Sequence, residues 1–476
     1  MKKNIIKEKG RVYTPLYIVE NILDMAGYHG RNILKKHVID NSCGDGAFLS
    51  EIIKRYCLEA EKSKMPREEL LSDLENYIHG IEIDPVERDS CLKNLTKITN
   101  SFNIKNVRWD IICGDALTIN KYDGKMDFVL GNPPYVRVHN FGDSFYNVKS
   151  FDSAKSGMSD LYLVFYEIGI NMLSHNGVLG YITPSSFFNS LAGCFLRKEI
   201  VDNNLLDKLC DLQHYQVFES TTYTTIAILK KNKSHDMVEY FRFDNKNKIP
   251  YYVDTLVASD YYIKGNFYFA EKEQLAILSK ILSNFNKSDI LVKNGYATLC
   301  DNVFINDFDF DSKYIIPVIK SSKGTKKKIF FPYDKQGNLI PENEIMSDKA
   351  LYSYLLNYKD KLVRRSNEKK DEKFWYAFGR SQAIRDTYKN KLTINSLIRD
   401  ENDLKFVYAP AGTGVYGGLY ITSVSIPFEI IKETLQSKEF ATYISLLGKY
   451  KNGGYYTFSS KDIKAFLDYK ITYKGE

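Results

Sequence analysis

The sequence predicts an α/β fold: a largely parallel sheet in the first half, followed by a mixed α+β second half. Three observations carry this reading. Short apolar runs alternate with helical stretches, the signature of strands buried on both faces. A carboxylate closes each of the first three runs: Asp40, Glu82 and Asp115. The fourth run, Met126 to Leu130, passes through Gly131 into Asn132-Pro133-Pro134-Tyr135. That places a rigid loop at the carboxyl edge of the sheet, where open α/β sheets bind ligands.

Taken in order, Gly10-Arg11-Val12-Tyr13-Thr14-Pro15 precedes an amphipathic helix, Leu16 to Met25, with Thr14 as N-cap and Pro15 as first helical residue. His37 to Asp40 is a strand, and Asn41 to Gly46 a glycine turn into a helix from about Ala47. A dinucleotide fingerprint would place its third glycine where Leu49 stands. The acidic turn therefore suits a cationic ligand better than a phosphate, and Cys43, Gly44 and Gly46 let the backbone approach it. Glu51 to Asn76 is charged and helical, with an insertion at about 57–76. Tyr77 to Ile83 is the second strand. Glu82 at its end is placed to clamp ribose hydroxyls, while Asp84 reads more simply as a charge at a helix N-terminus. Asp115 ends the third strand and can accept from an adenine amine. Residues 135–158 are polar and expected to be mobile. Ser159-Asp160 caps an apolar helix, Leu161 to Leu173, and Gly177 to Thr183, Leu206 to Leu212 and Tyr223 to Leu229 are the later strands.

The loop itself is chemically pointed. Two prolines remove two N–H donors and leave carbonyls free as acceptors. Asn132 adds a further acceptor and Tyr135 a flat π face. Together they suit a planar ring bearing an exocyclic amine.

Charge separates the two halves. Residues 1–245 carry 30 Lys and Arg against 32 Asp and Glu, and residues 246–476 carry 36 against 27. The basic half points to a polyanion, with Lys323 to Lys328, Lys361 to Lys370 and Lys449 to Ser460 as its basic runs. Asp244 to Pro250 is polar and reads as the boundary. Seven scattered cysteines without Cys-x-x-Cys favour a reducing compartment. All seven histidines lie at or before His235, which excludes a Cys/His zinc site in the basic half, and no metal is expected. No signal core or membrane-length apolar run is present, so a cytoplasmic protein is expected. A loose nuclease-like pattern, Asp360 with Glu368-Lys369-Lys370, lacks flanking apolar strands and carries little weight.

The ordered motifs GRVYTP, DNSCGDGAFL, GIEIDP, GDAL, NPPY, SDLY, GVLGYITPSSF and VF…TTIAIL resemble the gamma arrangement of N6-adenine DNA methyltransferases, the TaqI-like group of restriction–modification enzymes. The resemblance covers roughly residues 10–230 and continues more loosely to the end. It implies a Rossmann-like sheet with an antiparallel last strand and S-adenosylmethionine (SAM) as methyl donor. Residues 1–245 are then the catalytic domain and 246–476 a DNA target-recognition domain. Thr14, Asp40, Cys43, Gly44, Gly46, Glu82, Ile83, Asp115 and Ala116 would contact the donor. Relatives often place an aromatic where Ala116 stands. Asn132 and the Pro133 carbonyl, with Pro134 completing the loop, would hold the adenine amine. Tyr135 and Phe218 would sandwich the flipped base, although Phe218 equally suits a core plug. Double-stranded DNA is the expected partner, with a cognate nuclease acting separately and the methyltransferase a monomer. Alternatives are another acceptor amine, in N4-cytosine or protein glutamine, and a non-catalytic DNA-specificity subunit.

Overall fold

The computed structural model describes residues 13–137, 148–157, 160–218, 222–365 and 374–472. It divides into two compact units, Met1–Ile277 and Leu278–Glu476.

The first unit is built on a nine-stranded sheet. Helix α1 (Leu16–Met25) precedes β1 (Val38–Asp40), and α2 (Ala47–Lys62) and α3 (Arg67–Tyr77) lead to β2 (Ile78–Glu82). Helix α4 (Pro85–Ser101), β3 (Asp110–Cys113) and β4 (Met126–Gly131) follow. Then come α5 (Leu161–Met172), β5 (Leu173–Pro184), α6 (Cys194–Asp202), β6 (Leu206–Asp211), β7 (Thr224–Lys230), β8 (Val238–Asp244) and β9 (Ile249–Leu256). The spatial order is β3-β2-β1-β4-β5-β7-β6-β8-β9. Strands β1 to β5 run parallel, and β7 runs antiparallel to both β5 and β6. Order reverses between β1 and β4, so their carboxyl ends form the crevice of an open α/β sheet.

Local chemistry explains the elements around that crevice. Ile18, Val19, Ile22 and Leu23 are fully buried on one face of α1, the spacing of a helix packed on a core. Leu49 lies where a dinucleotide fold needs glycine, and the room comes from β2 instead. A Cβ on Gly80 would sit 3.0 Å from Leu49 Cδ1 and 3.3 Å from Cys43 Sγ. The stretch read as an insertion belongs to the core layer: Leu70 and Leu74 of α3 are buried, and the Tyr56 hydroxyl donates to Asp73 at 2.8 Å.

Two expectations need correcting. The runs Leu206 to Leu212 and Tyr223 to Leu229, expected to be the last two strands, are β6 and β7 and are followed by two more: β8 pairs parallel to β6, and β9, at the end of the sheet, pairs antiparallel to β8. The polar stretch Asp244 to Pro250 is accordingly the turn of a hairpin. The Asp244 carboxylate accepts from the backbone N–H groups of Lys246 and Asn247 at 2.8 and 3.2 Å, and Lys248 adopts φ +62°. The division between units falls 32 residues beyond 245, inside the helix α7 (Lys272–Ser283).

The second unit holds two four-stranded sheets and one three-stranded sheet among its described residues. Strand Thr325–Phe330 exposes Lys326, Lys327 and Lys328 in succession. Glu368-Lys369-Lys370 lies outside the described residues.

Candidate active site

At the crevice lies a cavity of about 610 Å³ lined by the turn after β1, the ends of β2 and β3, and the loop after β4. Six carboxylates line it (Asp40, Asp45, Glu82, Asp84, Glu87 and Asp115), and among the described residues no lysine, arginine or histidine does. Such a wall repels phosphates and suits a ligand with cationic centres.

Each predicted carboxylate is held by backbone donors that leave acceptor capacity over. Asp40 ends β1 and takes the Ser42 N–H at 3.0 Å. Glu82 takes the Gly44 N–H at 2.8 Å and the Asp84 N–H at 2.9 Å, so it fixes the glycine turn. Asp115 takes the Leu117 N–H at 3.0 Å. Asp40 is 2% exposed. Burial, with Glu82 and Asp45 nearby, pushes its carboxyl up to about 8. Its position depends on Gly131, where a Cβ would stand 2.7 Å from Asp40 Oδ1. Gly44 and Gly46 adopt φ +52° and +88° in the turn, and Cys43, Ile83 and Ala116 also line the cavity.

The Asn132–Tyr135 loop lines the same cavity. The Asn132 amide Nδ2 donates to Thr14 Oγ1 at 3.0 Å. Its Oδ1 is buried and accepts no hydrogen bond from the described residues. Among the described residues nothing donates to the Pro133 carbonyl either. The Tyr135 hydroxyl donates to the Ile182 carbonyl at 2.8 Å, and burial holds its acidity well below that of free tyrosine. These contacts hold the loop at the cavity and leave two acceptors without a donor among the described residues.

Thr14 does not cap α1. Pro15 is the N-cap, and the Thr14 hydroxyl serves Asn132 instead. Phe218 is 7% exposed and lies in the hydrophobic core of the first unit. Its ring meets Tyr135 edge to face, with centroids 6.0 Å apart and planes at 69°. The two rings therefore form no parallel slot here, and a base between them requires one ring to turn. Sequence reasoning missed Tyr13, which lines the cavity with its hydroxyl 3.5 Å from both Glu87 carboxylate oxygens. It also missed Ser42, whose hydroxyl donates to the Asn132 carbonyl at 3.4 Å. Only Tyr13's adjacency to Thr14 could have signalled it.

Residues 47–218 match the Eco57I restriction-modification methylase family. The chain is 25% identical over 417 residues to the type II methyltransferase M.BstVI of Geobacillus stearothermophilus, covering 77% of this chain and 73% of that protein. It is 24% identical over 563 residues to the type II restriction enzyme and methyltransferase RM.Eco57I of Escherichia coli, covering 94% of this chain but 56% of that one. The chain therefore spans just over half of that second relative. Among solved structures, the type IIL restriction–modification enzyme MmeI in complex with DNA aligns with 96% of this chain and 66% of its own, at TM-score 0.59 and 14% identity. That likeness establishes the α/β fold. The homologues are type II restriction–modification methyltransferases, and their family implies SAM as the methyl donor. The residues present fit it: six carboxylates accommodate an ammonium and a sulfonium, and among the described residues no cation lines the cavity to hold a phosphate.

Proposed function

We propose that this chain is a DNA methyltransferase that transfers the methyl group of SAM to N6 of adenine in double-stranded DNA. The observation that carries this is the buried Asn132 Oδ1, which like the Pro133 carbonyl has no donor among the described residues, on a loop that lines one cavity with the three carboxylates. A buried acceptor left unsatisfied is costly, by roughly 1–3 kcal/mol, and a substrate amine with two N–H groups would relieve it.

The chemistry follows from the acceptors. The amine lone pair of an aminopurine is delocalised into the ring. Accepting both N–H bonds, at Asn132 Oδ1 and the Pro133 carbonyl, favours a pyramidal nitrogen whose lone pair is free to attack. SAM would supply the electrophilic methyl group, its S–CH3 bond breaking as the N–CH3 bond forms and S-adenosylhomocysteine leaving, and the methylated amine would release its extra proton to solvent. Positioning and stabilisation of developing positive charge on the amine carry the rate, and no strong general base is required. Asp40, Glu82 and Asp115 would hold the donor, with Asp40 toward its ammonium. The base must leave the duplex to reach the cavity, and Tyr135 with Phe218 would stack it.

The second unit is proposed as the target-recognition domain, its exposed Lys326, Lys327 and Lys328 meeting phosphates. No helix among the described residues is long and apolar enough to cross a membrane. A monomer in the cytoplasm, with any cognate nuclease acting separately, completes the proposal.

The test is Asn132→Ala with mapping of the methylated base. Methyl incorporation into DNA should be lost while SAM and DNA affinities stay within a few fold, because the side chain acts on the transition state. Turnover near that of the unmodified protein, or methyl groups on cytosine N4, would overturn the adenine assignment.

A further inference from the structure

Thr14 and Asn132 lie 118 residues apart in sequence, yet their side chains meet at 3.0 Å. The direction of that bond decides what Asn132 can do. With Nδ2 committed to Thr14, the carboxamide turns Oδ1 inward, where it is buried without a partner among the described residues. A carboxamide turned over would offer two donors to an amine that also donates. No hydrogen bond could form across that pair.

We infer that Thr14 is a positioning residue for the methyl transfer proposed above: its hydroxyl supplies the acceptor that holds the Asn132 carbonyl oxygen toward the acceptor amine. The inference rests on that reading of the site and deepens it. It also separates Thr14 from two simpler roles, a helix cap, which the geometry excludes, and a ligand of the donor alone.

The hydroxyl is well founded for such a task. The residue before a proline is confined to extended conformations, so Pro15 restricts the Thr14 backbone. Pro15 is in turn fixed by α1, accepting from the Ile18 and Val19 N–H groups at 2.9 and 3.2 Å. Ile18, Val19, Ile22 and Leu23 are fully buried beneath. From the other side, the Ser42 hydroxyl holds the Asn132 backbone carbonyl at 3.4 Å, so the main chain is fixed independently of Thr14. Removing the Thr14 hydroxyl should therefore free the amide alone.

The experiment compares Thr14→Val, which keeps shape and branching but has no acceptor, with Thr14→Ser, which restores one. Methyl incorporation into unmodified bacteriophage DNA is measured at saturating SAM and DNA, with SAM affinity determined separately by calorimetry. Thr14→Val should lower kcat about 10- to 100-fold, the cost of one buried N–H left without an acceptor. Its SAM affinity should change less than threefold, and Thr14→Ser should recover most of kcat. Unchanged kcat in Thr14→Val overturns the inference. So does a variant that loses SAM affinity but regains full kcat at saturation, since Thr14 would then be a donor ligand only. If the unmodified protein methylates DNA while Thr14→Val is unaffected, only this inference falls. If the unmodified protein methylates no DNA, the proposed function falls with it.

Discussion

Asp40 should make binding of the methyl donor release a proton. Its carboxyl is buried, lies near Glu82 and Asp45, and is pushed up to about 8, so below that pH the empty site holds it neutral. An ammonium placed against it reverses the balance, because an opposite charge favours the ionised form. At pH 6.5 the cost of ionising Asp40 first is about 2 kcal/mol, at 1.36 kcal/mol per pH unit. SAM affinity should therefore rise about tenfold per pH unit between pH 6 and 7.5. Above about 8 it should level and then fall, as the ligand's own α-amino group, with an ordinary value of about 7.7–8.0, loses its proton. Among the described residues no histidine lines the cavity to mimic the effect. Titration calorimetry in two buffers of different ionisation enthalpy should count about 0.8 proton released at pH 7: about 0.9 from a carboxyl of pKa about 8, less about 0.1 taken up by the ligand's amine. Asp40→Asn should abolish both the release and the rise. It should also stabilise the ligand-free protein. The folded state keeps a proton that the unfolded chain loses above about pH 4, so wild-type stability falls as pH rises from about 4 to 8. A proton count near zero at pH 7 would refute the placement of Asp40 against the ammonium.

Two further outcomes follow from contacts around the same cavity. Gly131→Ala would drive a Cβ to 2.7 Å from Asp40 Oδ1; it should weaken SAM binding at least tenfold, and calorimetry with a retained melting temperature within about 5 °C would localise the damage to the site. Phe218→Ala separates two roles: a residue buried to 7% exposure in the core should cost about 3–5 kcal/mol of stability if it is only a plug. A stacking role instead lowers the 2-aminopurine fluorescence change on DNA binding while the protein melts within a few degrees of wild type.

Much of this arrangement was legible in the sequence. The runs ending in Asp40, Glu82, Asp115 and Gly131 fell within a few residues of β1 to β4, because a strand buried on both faces leaves an uninterrupted apolar run between helices. The carboxylates were legible for the same reason, since each marks a strand's end. Thr14 was harder: a Thr-Pro before a helix reads as a cap, and only tertiary structure brings it to Asn132. Asp244 to Pro250 misled because the side chains that solvate a linker also build a tight turn, Asp244 bonding two backbone N–H groups. Phe218 could not be decided from sequence, since a core aromatic and a stacking aromatic share one composition.

The hairpin of β8 and β9 bears on how the two halves can be prepared separately. A fragment ending at residue 245 would stop inside the turn and leave one edge of β8 without β9, its partner from Val238↔Leu256 to Asp244↔Ile249. An unprotected edge recruits other chains, so that fragment should self-associate whatever its catalytic state. Extending it through Ile277, the end of the first unit, restores β9 and the natural edge, where Ile249, Tyr251 and Tyr252 are already solvent-facing, and keeps Gly265, which accepts from Arg197. The useful cut is therefore set by backbone pairing and lies well past the place where the charge balance of the chain changes sign.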